Sequence, residues 1–387
     1  MGGMNHNQQR ALFLIVVAAA LAGGWWLFTS SQRQGGMDAA ADPGNGTNSN
    51  PPVAGVTPSG GSPAEELRHA VAGVRTNAGA AANKLLLAQL QAKLRSMPRD
   101  QSVAALRAQL SAGADAATGM GFKVGAGGAL AEAPSWRVFL LEELARLDPA
   151  VAAEVARSIL ATKTSPEEWA VAMRNLARVQ NDEAGRALLE AKMRELLTYE
   201  PWQRDPSVGF LEAFDVAVHL GGANLAPELS ELLRRKDPEQ RAVAHAAFLA
   251  LDRLAIADPL PLLTKLTEAP TLMQGREATR AGYLARADVS EPAQRAVVER
   301  YLMDASRTAE ELKSFVGIFP NGNFMFSENL LTTVATPDRP AQLARDQAAL
   351  RVVKEWLADP RFASVRPTLE QMRTRLENFL RQASLPP

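Results

Sequence analysis

The chain has 387 residues, of which 42 are lysine or arginine, 42 are aspartate or glutamate, and none is cysteine. A protein without cysteine has no disulfide, no thiolate zinc site and no iron–sulfur cluster. Zero net charge argues against a dedicated nucleic-acid-binding protein, which needs surplus cations, and against electrostatic binding to a membrane surface. The cations are 33 arginines and 9 lysines. Because acidic residues are scattered evenly among them, we expect the arginines to lie on solvated helix surfaces.

An apolar segment near the N-terminus predicts a membrane anchor. Residues 11–28 read ALFLIVVAAALAGGWWLF, and no charged residue lies between Arg10 and Arg33. As a helix, this segment spans about 27 Å, close to the ~30 Å hydrocarbon core of a bilayer. The two tryptophans suit the headgroup zone at one end. We therefore predict a short tail over residues 1–10 and a single-pass transmembrane helix over residues 11–30, which contacts the lipid bilayer.

The orientation of this helix follows from what flanks it. A short tail followed by a large domain favours a C-terminal domain exported to the periplasmic side of the cell membrane. Two other interpretations of the segment stay open. Ala20-Leu21-Ala22 fits a signal-peptide cleavage site, in which case the protein is secreted after cleavage near Ala22. The third interpretation is a buried helix of a soluble protein.

Residues 31–61 connect the apolar segment to the rest of the chain. They are rich in glycine, proline, asparagine and serine, with few large apolar side chains to bury. Such a composition predicts a disordered tether. A tether of this length has an r.m.s. span of roughly 30 Å, which lets the body sample a volume near the membrane.

From residue 62 onward the composition shifts to alanine, leucine, glutamate and arginine, with apolar residues spaced as in amphipathic helices. Ser62-Pro63-Ala64-Glu65 and Ser165-Pro166-Glu167-Glu168 are capping boxes with proline at the first helical position. Asp-Pro pairs also suit helix starts, because the aspartate accepts from free N–H groups of the first turn. We expect helix starts at the pairs beginning at residues 148, 205, 237 and 258, and only a turn at residue 359. The predicted helices cover residues 64–75, 80–96, 101–110, 135–147, 149–161, 166–179, 183–197, 206–220, 225–235, 238–256, 259–267, 272–285, 292–305, 309–316, 342–358 and 367–382.

The middle of the chain resembles HEAT-like helical repeats over about residues 135–305. The resemblance rests on short helices, on pairs roughly 30–40 residues apart, and on turns such as Arg235-Lys236-Asp237-Pro238. It implies an all-α fold in which antiparallel helical pairs form an α-solenoid, a fold that commonly serves as a binding scaffold. We accordingly predict an N-terminal helical hairpin region over residues 62–116, a Gly-rich non-helical insert over 117–134, and a helical-repeat domain over 135–387.

Two stretches depart from the helical pattern. Thr118–Leu130, TGMGFKVGAGGAL, has the glycine content of a phosphate-binding loop but not its spacing. We expect a short strand at Phe122–Val124 or an irregular loop, with a loop that grips a ligand or peptide as the alternative. Phe315–Asn329 carries four phenylalanines and an Asn321-Gly322 turn signal. This stretch predicts either a hairpin or a helix end followed by a packed loop, with its aromatic side chains buried or exposed to a partner.

Recognisable catalytic motifs are absent from the sequence. His219 and His245 approach each other only if they lie in adjacent repeats near Asp215, and we expect them to be structural rather than metal ligands. Glu142 and Glu143 are adjacent carboxylates, and neighbouring helical residues point about 100° apart, which places them poorly to share a substrate. We therefore predict no catalytic residue, no cofactor and no metal.

The sequence favours a membrane-tethered, exported scaffold that binds a protein or peptide partner on the concave face of its helical array, and no nucleic acid. Aromatic and arginine side chains carry much of the energy of typical interfaces. The candidate partner-binding residues are Trp202, Arg204, Phe324 and Phe326. The alternatives are an envelope hydrolase or carbohydrate-binding protein with a helical-toroid cleft, and a structural spacer in an envelope assembly.

Overall fold

The structure, a computed structural model, describes residues 61–76, 79–323, 328–333 and 337–383. The predicted tail, the transmembrane helix at 11–30 and all but the last residue of the tether lie outside the described residues, as do Phe324 and Phe326. Among the residues that are described, no helix is both long enough and apolar enough to cross a membrane.

The described chain is mainly helical, in agreement with the predicted all-α class, and contains one short β-hairpin. Short 3₁₀ turns precede several of the helices. The helices are α1 (Pro63–Thr76), α2 (Ala80–Ser96), α3 (Arg99–Ser111), α4 (Trp136–Leu147), α5 (Pro149–Ile159), α6 (Pro166–Val179), α7 (Glu183–Thr198), α8 (Glu200–Arg204), α9 (Val208–Glu212), α10 (Asp215–Leu220), α11 (Ala226–Arg234), α12 (Arg241–Ala257), α13 (Pro259–Glu268), α14 (Glu277–Leu284), α15 (Pro292–Met303), α16 (Ala309–Ile318), α17 (Arg339–Ala358) and α18 (Arg366–Ala383). The strands are β1 (Lys123–Val124) and β2 (Leu130–Glu132).

Several predicted helix starts are confirmed by their caps. The side chain of Ser165 accepts from the backbone N–H of Glu168 at 3.2 Å, and that of Asp148 accepts from Val151 at 3.1 Å. Asp258 also precedes a helix, but its carboxylate accepts from the N–H of Gly222 instead, at 2.7 Å.

The predicted helix over residues 206–220 is wrong in detail. Ser207, not Asp205, provides the cap, and the helix that starts at Val208 ends at Glu212. The chain then makes tighter i→i−3 hydrogen bonds around Phe214, which separate α9 from α10. The turn expected at residue 359 is a 3₁₀ helix, Pro360–Val365.

The helices pack in an order that follows the chain. Most helices contact the helix that follows, and many also contact the next but one. Helices α12, α14, α16 and α18 form one row of successive contacts, while α13 packs against α15 in a second row. The apolar core runs without a break from Leu67 in α1 to Leu376 in α18.

The Gly-rich insert forms a β-hairpin between α3 and α4. The strand expected at Phe122–Val124 is confirmed over Lys123–Val124, which pairs antiparallel with Leu130–Glu132. The connection contains a single 3₁₀ turn in which Gly127 and Gly128 have φ values of +67° and +74°. Left-handed backbone of this kind favours glycine, which explains these two glycines without a phosphate.

Ion pairs tie helices of the array together, and some of them bury arginines that we expected on solvated helix surfaces. Arg174, Arg280, Arg286 and Arg307 are at most 8% exposed. In six of the ion pairs the partners lie 31–38 residues apart in the sequence, so each of these six joins segments that are separated by at least one intervening helix. The pairs are Arg137–Glu168, Glu142–Arg174, Arg194–Glu228, Asp215–Arg253, Asp252–Arg286 and Arg280–Glu311.

Candidate functional site

The two candidate residues that the structure describes lie in different environments. Trp202 is 8% exposed and packs edge-on against Trp169, with ring centroids 5.3 Å apart, and against Tyr199 at 4.9 Å. Arg204 is exposed and pairs with Glu200 at 2.6 Å. Their role in binding a partner stays a prediction, but the ring of Trp202 is covered by its own chain.

The described part of the Phe-rich stretch, up to residue 323, ends α16 and continues as a packed loop, one of the two forms that its sequence allows. Phe315 and Phe319 are fully buried and stack on each other with centroids 4.9 Å apart. Asn321 fixes the loop, because its N–H donates to the carbonyl of Ala285 at 2.7 Å and its side chain donates to Gly282 at 3.3 Å.

Residues 328–333 form a strap that crosses back to the middle of the helical array. The carboxylate of Asp215, 1% exposed, accepts from the N–H groups of Leu331 at 2.7 Å and Thr332 at 2.9 Å, and from the Thr332 hydroxyl. Leu330 is fully buried, and Arg178 donates to its carbonyl at 3.4 Å. The strap is therefore held mainly through its backbone, by groups more than a hundred residues away in sequence.

A cavity of about 680 Å³ lies at the C-terminal end of the array. Its walls come from the end of α12, the start of α13, the segment after α14, the loop after α16, and helices α17 and α18. Three guanidinium groups line it, those of Arg286, Arg345 and Arg375, together with the carboxylates of Asp288 and Asp346. Apolar side chains, including Ile318 and Phe379, supply the rest of the lining.

The three arginines differ in how far they are already paired. Arg286 forms a bidentate ion pair with Asp252 at 2.6 and 2.7 Å. Arg345 donates to the backbone carbonyls of Arg286, Ala287 and Asn321, the last two at 3.3 and 3.4 Å. Arg375 donates through one Nη atom to the carbonyl of Phe319. Arg345 and Arg375 thus lie in the cavity wall bonded to neutral carbonyls rather than to carboxylates.

The pKa values of the charged groups in the cavity wall reflect this incomplete pairing. Burial lowers the pKa of Arg345, an effect that Asp288 opposes. Burial likewise lowers the pKa of Arg375, with Asp346 opposing. Burial raises the pKa of Asp346, although both arginines pull it down. An additional anion near Arg345 and Arg375 would stabilise their charged forms.

The two C-terminal helices that contribute to the cavity wall carry more cations than acids. Residues 339–383, which span α17 and α18, contain nine lysines and arginines and five aspartates and glutamates. Phe379 lies on α18 beside the cavity with 52% of its surface exposed. An exposed aromatic side chain next to arginines is the composition typical of an interface hot spot.

Sequence reasoning missed Arg345, Arg375 and Phe379. The signal that points to them is the local excess of cations over residues 339–383, which a whole-chain balance of zero conceals. The histidines that the sequence analysis considered as metal ligands lie outside this cavity. Burial lowers the pKa of His219, which Asp215 opposes, and also that of His245. Among the described residues no cluster of three or more histidine and acidic side chains is placed to hold a metal.

Glu142 and Glu143 are nearly fully buried, and both reach the same guanidinium, that of Arg146, at 3.2 and 3.0 Å. They share this partner because it lies one helical turn further along α4. They line a cavity of about 160 Å³, smaller than the ~300–1,000 Å³ of most ligand sites.

No protein family matches this chain, and no curated protein or solved structure is similar to it.

Proposed function

We propose that this protein is a membrane-tethered helical scaffold whose C-terminal cavity binds an acidic peptide segment of a protein partner. The observation that carries the proposal is the pair of guanidinium groups, Arg345 and Arg375, set in the cavity wall and bonded to neutral carbonyls. A carboxylate is the natural partner for such groups, since guanidinium–carboxylate hydrogen bonds are charge-assisted and directional.

The size and lining of the cavity suit a peptide. About 680 Å³ falls within the range of sites that enclose ligands of several hundred daltons. Its apolar residues, among them Ile318 and Phe379, offer contacts to aliphatic side chains, while Asp288 and Asp346 accept from N–H groups. A segment with one or two carboxylates and a neighbouring apolar side chain matches these features.

The charge around the cavity favours the same partner. The surplus of cations over residues 339–383 attracts an acidic segment before contact, which raises the association rate and makes binding depend on salt. Exposed Phe379 then contributes apolar area at the rim.

In this proposal the anchor and the tether keep the peptide-binding cavity close to a membrane. The apolar segment at 11–30 anchors the chain, the exported side is favoured by the order of segments, and residues 31–61 allow a reach of roughly 30 Å from the bilayer. The scaffold itself belongs with HEAT-like helical repeats in our proposal. Three ion pairs 31–38 residues apart support this, because each joins a helix to the next but one, which is the spacing of one helical pair.

The proposal is tested with three fluorescein-labelled peptides of identical length that carry two phenylalanines and either four glutamates, four glutamines or four lysines. The glutamate peptide is expected to bind best to the full-length protein, with affinity that falls as salt rises. Arg375→Gln should weaken this binding about tenfold, the loss expected for one charge-assisted contact.

The matched control is Arg381→Gln, which removes an exposed cation from the same helix outside the cavity. It should lower affinity only slightly, through the long-range field. Equal binding of the three peptides, or an equal loss in the two variants, contradicts the proposal.

A further inference from the structure

The wall of the C-terminal cavity holds two carboxylates beside its arginines. They belong to Asp288, in the segment between α14 and α15, and to Asp346 on α17. Asp288 accepts from the N–H and the hydroxyl of Ser290, at 3.0 and 2.6 Å. Asp346 is half-buried and, within the described parts of the chain, forms neither a hydrogen bond nor an ion pair. The cavity therefore presents an acidic group that its own walls leave unpaired.

The charges in the wall are balanced in number but not paired with one another. The guanidinium of Arg286 is already neutralised by a carboxylate of α12. The remaining cations are Arg345 and Arg375, and among the described residues neither forms an ion pair with Asp288 or Asp346. Burial raises the pKa of Asp346, and Arg345 and Arg375 oppose that rise, so these charges act on one another across a gap. A gap between unpaired charges of both signs fits a ligand that carries both signs.

Asp346 lies at a border of the cavity. It also lines an adjoining depression of about 380 Å³, which neither Arg345 nor Arg375 lines. The depression has a cation of its own, Arg339, which donates to the carbonyl of Ala383 at 3.4 Å rather than to Asp346. A ligand that enters past this border meets the unpaired carboxylate before it reaches the two arginines.

A carboxylate bound at the arginines makes the pairing of Asp346 more urgent. Because Arg345 and Arg375 both act on Asp346, an anion that binds them comes close to a second carboxylate. Like charges in a partly buried site repel, and a cation placed between them removes the repulsion. Phe379 lines both the cavity and the adjoining depression, so its ring can cover the methylene groups of a long basic side chain and attract its charged end.

We infer that the segment bound in this cavity carries a basic residue among its acidic residues, and that the basic side chain pairs with Asp346. This inference rests on the proposed function and adds the charge pattern of the partner. The matching segment is acidic, is interrupted by one lysine or arginine, and has an apolar residue nearby.

The test uses the full-length protein and fluorescein-labelled peptides that carry two phenylalanines and four glutamates. One glutamate is replaced with lysine, acetyl-lysine or glutamine, at each of the four positions in turn. At the favourable position the lysine peptide should bind about fivefold more tightly than the glutamine peptide, the upper range for a partly exposed ion pair. The lysine peptide carries less negative charge, so long-range attraction to the surplus cations alone predicts the opposite order. Acetyl-lysine keeps the length of the side chain without its charge and should bind no better than glutamine.

Two variants locate the effect. Asp346→Asn keeps the size of the side chain and should abolish the advantage of lysine over glutamine. Glu355→Gln removes a carboxylate of the same helix that is 58% exposed and lies outside the cavity, and it should preserve that advantage. The lysine scan on the unaltered protein decides the matter even if Asp346→Asn fails to fold.

The inference is overturned if lysine gives no advantage at any of the four positions, or if its advantage persists in Asp346→Asn. In either case the proposed function stands as long as the four-glutamate peptide binds better than one with four glutamines. Equal binding of all the peptides contradicts both.

Discussion

Two adjacent glycines in the hairpin turn allow a test of the contact between this turn and the strap at residues 328–333. Gly127 and Gly128 both have left-handed φ values, of +67° and +74°. A Cβ atom at residue 127 would meet no described atom within 4 Å, whereas one at residue 128 would lie 2.1 Å from the carbonyl oxygen of Leu330 and 2.7 Å from its carbon. Replacing each glycine with alanine therefore imposes the same backbone cost, and only Gly128→Ala also pushes against the strap.

The two costs can be worked out separately. The left-handed conformation costs a non-glycine residue about 1–2 kcal/mol, so Gly127→Ala should lower the free energy of unfolding by that amount. In Gly128→Ala the strap has to lift, which removes donors from the carboxylate of Asp215 and exposes Leu330. A hydrogen bond to a charged group contributes about 1.5–3 kcal/mol and a buried leucine about 1.5–3 kcal/mol. Since a released strap regains chain entropy, we expect Gly128→Ala to cost at least ~3 kcal/mol more than Gly127→Ala.

Urea denaturation of both variants measures this difference in unfolding free energy. Hydrogen exchange at the amides of Leu331 and Thr332 reports the strap itself and should accelerate in Gly128→Ala but not in Gly127→Ala. Equal stabilities with unchanged exchange at these amides would refute the contact between the hairpin turn and the strap.

Two more predictions concern stability. Glu311→Ala leaves Arg280 buried without its carboxylate, so the free energy of unfolding measured in urea should fall by about 3–5 kcal/mol. The control Glu200→Ala removes the carboxylate of an exposed ion pair, and the free energy of unfolding should fall by less than ~1 kcal/mol. A small loss in Glu311→Ala would show that the buried pair is dispensable. Burial lowers the pKa of His219 and of His245, so at mildly acidic pH the unfolded chain binds more protons than the folded one, and stability falls as pH drops below about 6.5. Replacing both histidines with asparagine should flatten this fall in unfolding midpoints measured between pH 7 and about pH 5.5, and an unchanged slope would contradict their assignment as the cause.

The sequence predicts local structure well because caps act over three or four residues. Ser165 and Asp148 each satisfy an N–H group within the next turn, so the pattern that identifies them is contained in a few neighbouring letters. Residues 206–220 show the limit of such reasoning. Their helical pattern is continuous, yet the chain tightens at Phe214, where Phe210 and Phe214 pack together in the core.

The candidate site depends on contacts that no short pattern contains. Arg375 reaches the carbonyl of Phe319 across 56 residues, and Asp215 holds the strap across more than a hundred. Arginines in ion pairs 31–38 residues apart look, in sequence, like those on a solvated helix face. Composition over residues 339–383 carries part of the missing information, because its cations outnumber its acids although the whole chain is neutral.

Site-specific photo-crosslinking in cells tests the central claim most directly. A photoreactive amino acid replaces Phe379, at the rim of the cavity, or Leu85, an exposed apolar residue of α2 that is 63% exposed. We predict that the probe at 379 captures a discrete partner through a segment rich in glutamate and aspartate, and that adding Arg375→Gln abolishes this crosslink. The account is contradicted if the probe at 379 yields the same products as the probe at 85, or if its crosslinked segments are not acidic and persist in Arg375→Gln.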